Sequence, residues 1–190
     1  MNESKSTTDT QSLQPSTVFT PIFLRMPSKG KRELWPGSGL TYWKLRRLIS
    51  PGAWNEQKPS VRAHELRKID RTRGTVLIEY ADLIDWYNKQ FQRSNPASPL
   101  LSPPQISLPP TLTIPATGKQ CPYTQLRHTV MYELSLPNSP YGQTGIYFTR
   151  LLLPGRTHGP IAMQTPSVLQ FIRSCPPPKY KISPETFSVA

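Results

Sequence analysis

Cysteine is nearly absent from this chain: Cys121 and Cys175 are the only two in 190 residues, and neither sits in a CxxC pair or a Cys/His cluster. That leaves no cysteine-based metal site and predicts two buried, reduced thiols. Histidine is equally sparse. His64, His128 and His158 lie in separate segments with no i, i+4 pairing, so neither a metal nor a histidine-based catalytic centre is expected. Acidic residues are few, 11 Asp+Glu against 23 Lys+Arg. Long apolar runs are missing as well, and none approaches the roughly eighteen residues that a membrane-spanning helix requires. The first twenty residues are polar, rich in Ser and Thr, and have no apolar signal core, so a cytoplasmic chain is expected. Gly37-Ser38-Gly39 superficially suggests a nucleophile turn, but no strand precedes it and a basic helix follows. Gly-Lys at 30–31 and 118–119 lacks the glycine spacing of a phosphate loop. The expectation is a protein without catalytic residues, cofactor or metal.

What is abundant is proline and positive charge. The 23 prolines cluster, which points to ordered segments separated by extended linkers. The net charge of +12 favours a polyanionic partner: DNA, RNA or an anionic membrane surface. Along the chain, residues 1–20 read as a disordered leader, 21–93 as a first ordered block and 94–110 as a Pro-rich linker. Residues 111–175 form a second block, and 176–190 a flexible tail opened by Pro176-Pro177-Pro178.

The two blocks resemble each other. Phe23-Leu24-Arg25-Met26-Pro27-Ser28-Lys29-Gly30-Lys31 parallels Thr111-Leu112-Thr113-Ile114-Pro115-Ala116-Thr117-Gly118-Lys119. Leu40, Leu45 and Leu48 then fall on Leu126, Met131 and Leu134. Arg71-Thr72-Arg73-Gly74 falls on Arg156-Thr157-His158-Gly159, and Leu83, Ile84, Trp86 and Tyr87 fall on Val168, Leu169, Phe171 and Ile172. The common order and nearly constant offset indicate a diverged tandem repeat.

Local patterns assign elements in the first block. Thr41 is a candidate N-cap, and Leu45, Leu48 and Ile49 share one helical face that Pro51-Gly52 terminates. Val61–Ile69 and Thr75–Glu79 read as strands joined by the turn Asp70-Arg71-Thr72-Arg73-Gly74. Tyr80–Phe91 reads as an amphipathic helix with Leu83, Ile84, Trp86 and Tyr87 inward and Asp82, Asp85 and Lys89 outward.

The run Gly39-Leu40-Thr41-Tyr42-Trp43-Lys44-Leu45-Arg46-Arg47-Leu48-Ile49 resembles the turn and second helix of excisionase-like and MerR-like DNA-binding domains. Tyr80-Ala81-Asp82-Leu83-Ile84-Asp85-Trp86-Tyr87 stands where those domains open a further helix after a two-stranded wing. The resemblance covers about residues 23–91, with Gly52–Lys58 longer than the usual link between helix and wing. It implies an α+β fold of two tandem small winged helix-turn-helix domains joined by the Pro-rich linker, with disordered termini. It also implies double-stranded DNA as partner, in transcriptional regulation or as an excisionase-like accessory factor in DNA recombination, and nucleoid association if the source is bacterial.

With the aliphatic anchor inside, the outward set of that helix is Tyr42, Trp43, Lys44, Arg46 and Arg47, preceded by Thr41. Lys and Arg neutralise phosphate, and Arg also pairs bidentately with guanine. Lys68, Arg71 and Arg73 make the wing tip basic, suited to an adjacent groove or backbone. Charge separates the repeats: residues 21–93 hold 15 Lys+Arg against 7 Asp+Glu, and residues 94–175 hold 5 against 1. The second repeat offers Arg127, His128 and Arg156 as secondary nucleic-acid contacts. Val130, Met131, Tyr132, Tyr147 and Phe148 are expected first of all in its core, with a role in packing or in pairing with itself or another protein. Neither a membrane nor a small-molecule substrate is expected. Two other classes fit the composition: an RNA- or ribosome-associated basic binder, and a protein-interaction scaffold with incidental charge.

Overall fold

The computed structural model describes residues 21–27, 38–50, 59–102, 106–152 and 159–179. Among them are four helices and two three-stranded antiparallel sheets, a mixed α+β architecture. The first unit runs β1 (Phe23–Arg25), α1 (Tyr42–Ile49), β2 (Ala63–Leu66), β3 (Thr75–Glu79) and α2 (Tyr80–Ser94). The second repeats that order with β4 (Thr111–Thr113), α3 (His128–Leu134), β5 (Phe148–Arg150), β6 (Ile161–Gln164) and α4 (Thr165–Ser174). The sheets share one strand order, β1-β3-β2 and β4-β6-β5, and in both the last strand passes into a helix with no intervening residue.

The equivalence extends to single hydrogen bonds. Met26 N–H donates to Val76 O as Ile114 N–H donates to Ile161 O, and Glu79 N–H to Arg62 O as Gln164 N–H to Tyr147 O. Before α1, Ser38 Oγ accepts from Leu40 N–H and Gly39 takes φ +61°; before α3, Thr124 Oγ1 accepts from Leu126 N–H and Gln125 takes φ +59°. A left-handed residue is what turns the chain into each helix, at no steric cost for Gly39 and with strain for Gln125. Ser38-Gly39 thus contributes a turn, with the buried Ser38 also accepting from Tyr87 through its carbonyl, and Gly37 lies outside the described residues.

Side-chain alternation explains the packing. Leu24, Ala63 and Ile78 lie on one face of the first sheet and meet Leu45, Leu48, Ile49 and Leu83 of the helices. Phe23, Leu66 and Leu77 lie on the opposite face and join Leu112, Leu126, Met131, Met163, Val168 and Ile172 of the second unit. The first sheet is therefore buried on both sides, and each fully buried Leu contributes roughly 1.5–3 kcal/mol. On the matching outer face of the second sheet Thr111, Leu151 and Ala162 stand where the first has Phe23, Leu66 and Leu77, and Thr111, Thr113, Thr149 and Leu151 are exposed there.

Backbone bonds stitch the seam. Ile22 N–H donates to Tyr123 O (2.8 Å), Glu65 N–H to Pro176 O (2.9 Å) and Ile69 N–H to Pro140 O (2.8 Å). Pro176, at the head of the stretch expected to be a loose tail, is thus bonded to β2, and Pro178 is buried. The linker is tied down near its middle, since the Asn88 side chain both donates to and accepts from the Leu101 backbone. The expected leader 1–20 and the Gly52–Lys58 stretch lie outside the described residues.

A buried carboxylate sits in this seam. Glu79 is 3.2 Å from His64 Nε2 and 3.0 Å from Arg173 Nε. Burial opposes its ionisation, yet the bonds from His64 and Arg173 outweigh that and hold its pKa below the ordinary 4.5. A depressed carboxylate stabilises the fold above its unfolded pKa, and that contribution disappears as pH falls through the folded value. Melting temperature should hold steady from neutral pH down to the ordinary carboxylate range and fall below it. Glu79→Gln should melt lower than wild type at pH 7, with the gap closing in acid.

Candidate nucleic-acid interface

α1 is built as its sequence predicts. Thr41, with extended backbone (φ −75°, ψ 161°), caps it by accepting Lys44 N–H at 3.4 Å, and Leu45, Leu48 and Ile49 are buried. The helix contains no acidic residue. Its other side shows Trp43, Lys44 and Arg47 exposed, with Tyr42 and Arg46 half-buried. Trp43, 53% exposed, packs edge-on to Tyr42 at 5.3 Å, and the Arg46 guanidinium carbon lies 5.4 Å from the Trp43 ring centroid. The i, i+3 spacing of Trp43 and Arg46 produces that cation–π contact, which restricts a side chain that would otherwise sample many rotamers. The result is a face of three cations and two aromatic rings, with Arg46 held against Trp43.

The hairpin departs from expectation at Lys68. Its ammonium is bound by Glu133 Oε1 of α3 and lies 6.0 Å from the Tyr141 ring centroid, so it holds the seam together. The partner lies 65 residues away in sequence. Arg71 and Arg73 are exposed, and Arg71 approaches Asp70 at 3.6 Å, a solvent-screened pair. Arg67, not singled out from sequence, is exposed on the same hairpin. Gly74 lets the hairpin close, because a Cβ there would meet Leu66 O at 2.1 Å. Gly159 does the same opposite Leu151 O at 1.9 Å.

In the second unit Arg127 is exposed at the start of α3, whereas His128 is committed to packing. Its Nδ1 lies 2.6 Å from Pro115 O, and its ring stacks on Tyr132. Arg156 lies outside the described residues. Arg25 adds a cation that sequence reading missed: burial and the neighbouring Arg127 both lower its pKa. That proximity arises only because the seam brings β1 to the 121–127 turn. Arg62, by contrast, is taken by Asp82, which receives its Nε at 2.7 Å and its Nη2 at 2.8 Å.

The chain matches no family model, no curated protein and no solved structure. Any functional reading therefore stands on these residues alone. Cys121 is buried and Cys175 half-buried, both as free thiols, and burial pushes Cys175 up to about 11, which leaves it a poor nucleophile at neutral pH. Three of the apolar residues expected in the core of the second unit are exposed instead. Met131 is fully buried and Val130 partly so, but Tyr132, Tyr147 and Phe148 are exposed, at 43%, 68% and 46%. Tyr132 is spent on His128, and the other two belong to the sheet edge at β5, where only one strand covers them.

Proposed function

We propose that this protein binds duplex DNA, each unit being a winged helix-turn-helix domain and α1 the recognition helix. The observation that carries the reading is the outward face of α1, where Trp43, Lys44, Arg46 and Arg47 stand opposite a fully aliphatic anchor with no acid among them. A helix of that kind fits the B-form major groove, and its cations supply phosphate contacts and guanine donors. Arg67, Arg71 and Arg73 extend the contact to the backbone beside it. The second unit, with a single exposed cation at α3 and Lys68 held on Glu133, fixes the hairpin in place. On this reading the protein is a DNA-binding regulator or an excisionase-like recombination factor, acting in the cytoplasm or nucleoid and not as an enzyme.

An A-form RNA duplex has a major groove too deep and narrow for this helix. Equilibrium binding to matched duplex DNA and RNA over a salt series separates the two. DNA should bind tighter, with log K falling against log salt at a slope of roughly −3 to −5, for four to five phosphate contacts. Equal affinity for both duplexes would overturn the recognition-helix assignment and favour a general basic binder.

A further inference from the structure

We infer that the chain forms a two-fold dimer by antiparallel pairing of β5 with β5 of a second copy, centred on Thr149. This pairing stands independently of the nucleic-acid reading. It starts from the difference between equivalent sheet edges. Bonds from Leu151 N–H to Pro160 O and from Gln164 N–H to Tyr147 O set the β5–β6 register, so Tyr147, Thr149 and Leu151 turn their backbone groups toward β6. By strand alternation those of Phe148 and Arg150 point out of the sheet. In β2 the corresponding outward groups belong to Ala63 and Glu65, and Glu65 N–H is taken by Pro176 O. Among the described residues nothing takes those of Phe148 and Arg150.

The side chains on this edge are unusual for one left to solvent. Tyr147, Phe148, Leu151 and Leu152 are exposed at 68%, 46%, 48% and 58%, four large apolar groups within six residues. Edges that stay unpaired are normally guarded by charge, proline or a bulge. Here the described strand has one cation, Arg150.

Two occupants from another copy can be compared. A head-to-tail arrangement would need the first unit to offer the carbonyl equivalent to Pro176 O. That position is Phe91, inside α2, where its carbonyl already accepts Asn95 N–H at 2.7 Å. α4 ends at Ser174 and frees the following residues, whereas α2 continues to Ser94. Self-pairing has no such obstacle. Centred on Thr149, it sets Phe148 opposite Arg150 of the second copy, twice by symmetry, and exchanges both N–H···O bonds in each pair. Tyr147 then faces Leu151 on the other side of the sheet, and no cation faces a cation across the strands. A centre on Phe148 or Arg150 would use the same outward groups but place each Arg150 elsewhere, opposite Ile146 or its own copy. The Thr149 register alone gives each arginine an aromatic partner.

The test is sedimentation equilibrium of the full chain across the micromolar range at about 0.15 M salt, where charges of like sign on the two copies are screened beyond about 8 Å. Wild type should approach twice the 21.5 kDa chain mass. Phe148→Lys sets lysine opposite Arg150 and should raise the dissociation constant about tenfold or more, with both symmetric pairs affected. Phe148→Glu removes the same ring but supplies a partner for Arg150, so it should dimerise better than Phe148→Lys. Register is read with Thr149→Cys. The two introduced thiols would face each other across a non-hydrogen-bonded pair, a Cα separation of about 4.5 Å that a disulfide tolerates. With Cys175 replaced by Ser and Cys121 buried, mild oxidation should give a covalent dimer that the same chain without Thr149→Cys does not. A monomer at every concentration would overturn the proposal. So would Phe148→Lys and Phe148→Glu dimerising alike, or Thr149→Cys failing to cross-link.

Discussion

Alanine at both Lys44 and Arg47 should weaken binding to duplex DNA about a hundredfold at low salt, on the scale of roughly 1–3 kcal/mol for each contacting side chain. The same variant should flatten the salt slope by about two, one for each phosphate-neutralising cation removed. Both side chains are exposed on α1, and a melting curve of the variant separates loss of contact from loss of fold. Lys89→Ala with Arg93→Ala removes the same charge from the exposed side of α2 and should change affinity only about twofold. A loss of equal size in the two variants would mean that total charge, not the α1 face, governs binding. Fluorescence anisotropy with a labelled duplex measures both.

The second large effect is structural. Gly74→Ala should destabilise the fold by about 1–3 kcal/mol or more, since the new methyl collides with backbone that has no rotamer to escape into. The clash is with Leu66 O, at 2.1 Å, and opening the hairpin would also pull Gly74 N–H from Glu65 Oε1, now 2.8 Å away. Because Lys68 and Ile69 anchor this hairpin to the second unit, the damage reaches the seam. Gly159→Ala should destabilise comparably through Leu151 O, but no backbone bond or ion pair of its hairpin crosses the seam among the described residues. Urea denaturation gives both values. If Gly74→Ala were as stable as wild type, the hairpin could not close as described.

The repeat was legible because the residues that define it obey local rules. Leu40, Leu45 and Leu48 match Leu126, Met131 and Leu134 at helical spacing, and all six are buried. Gly74 and Gly159 match because both backbones pass the same close contact. Thr41 was legible as a cap from its place before an apolar helical face. The seam was not legible. Thr75–Glu79 reads as a strand, but nothing local says that Leu77 and Ile78 will be buried in different cores.

The candidate site divides along the same line. Lys44, Arg46 and Arg47 follow from one helix's periodicity. Lys68 meets Glu133, and Arg25 nears Arg127, only through contacts between units far apart in sequence. Tyr147 and Phe148 looked like core because residue type reports hydrophobicity and not whether a strand lies at the edge of its sheet. The same apolar character, once placed on that edge, is what argues for a second copy.

The most direct test of the central claim is an amide chemical-shift titration of the ¹⁵N-labelled full chain with a duplex. The account predicts that the first and largest shifts fall on Thr41–Ser50 and on the 67–74 hairpin. Shifts confined to 106–152 and 159–179, or none at low salt, would contradict it.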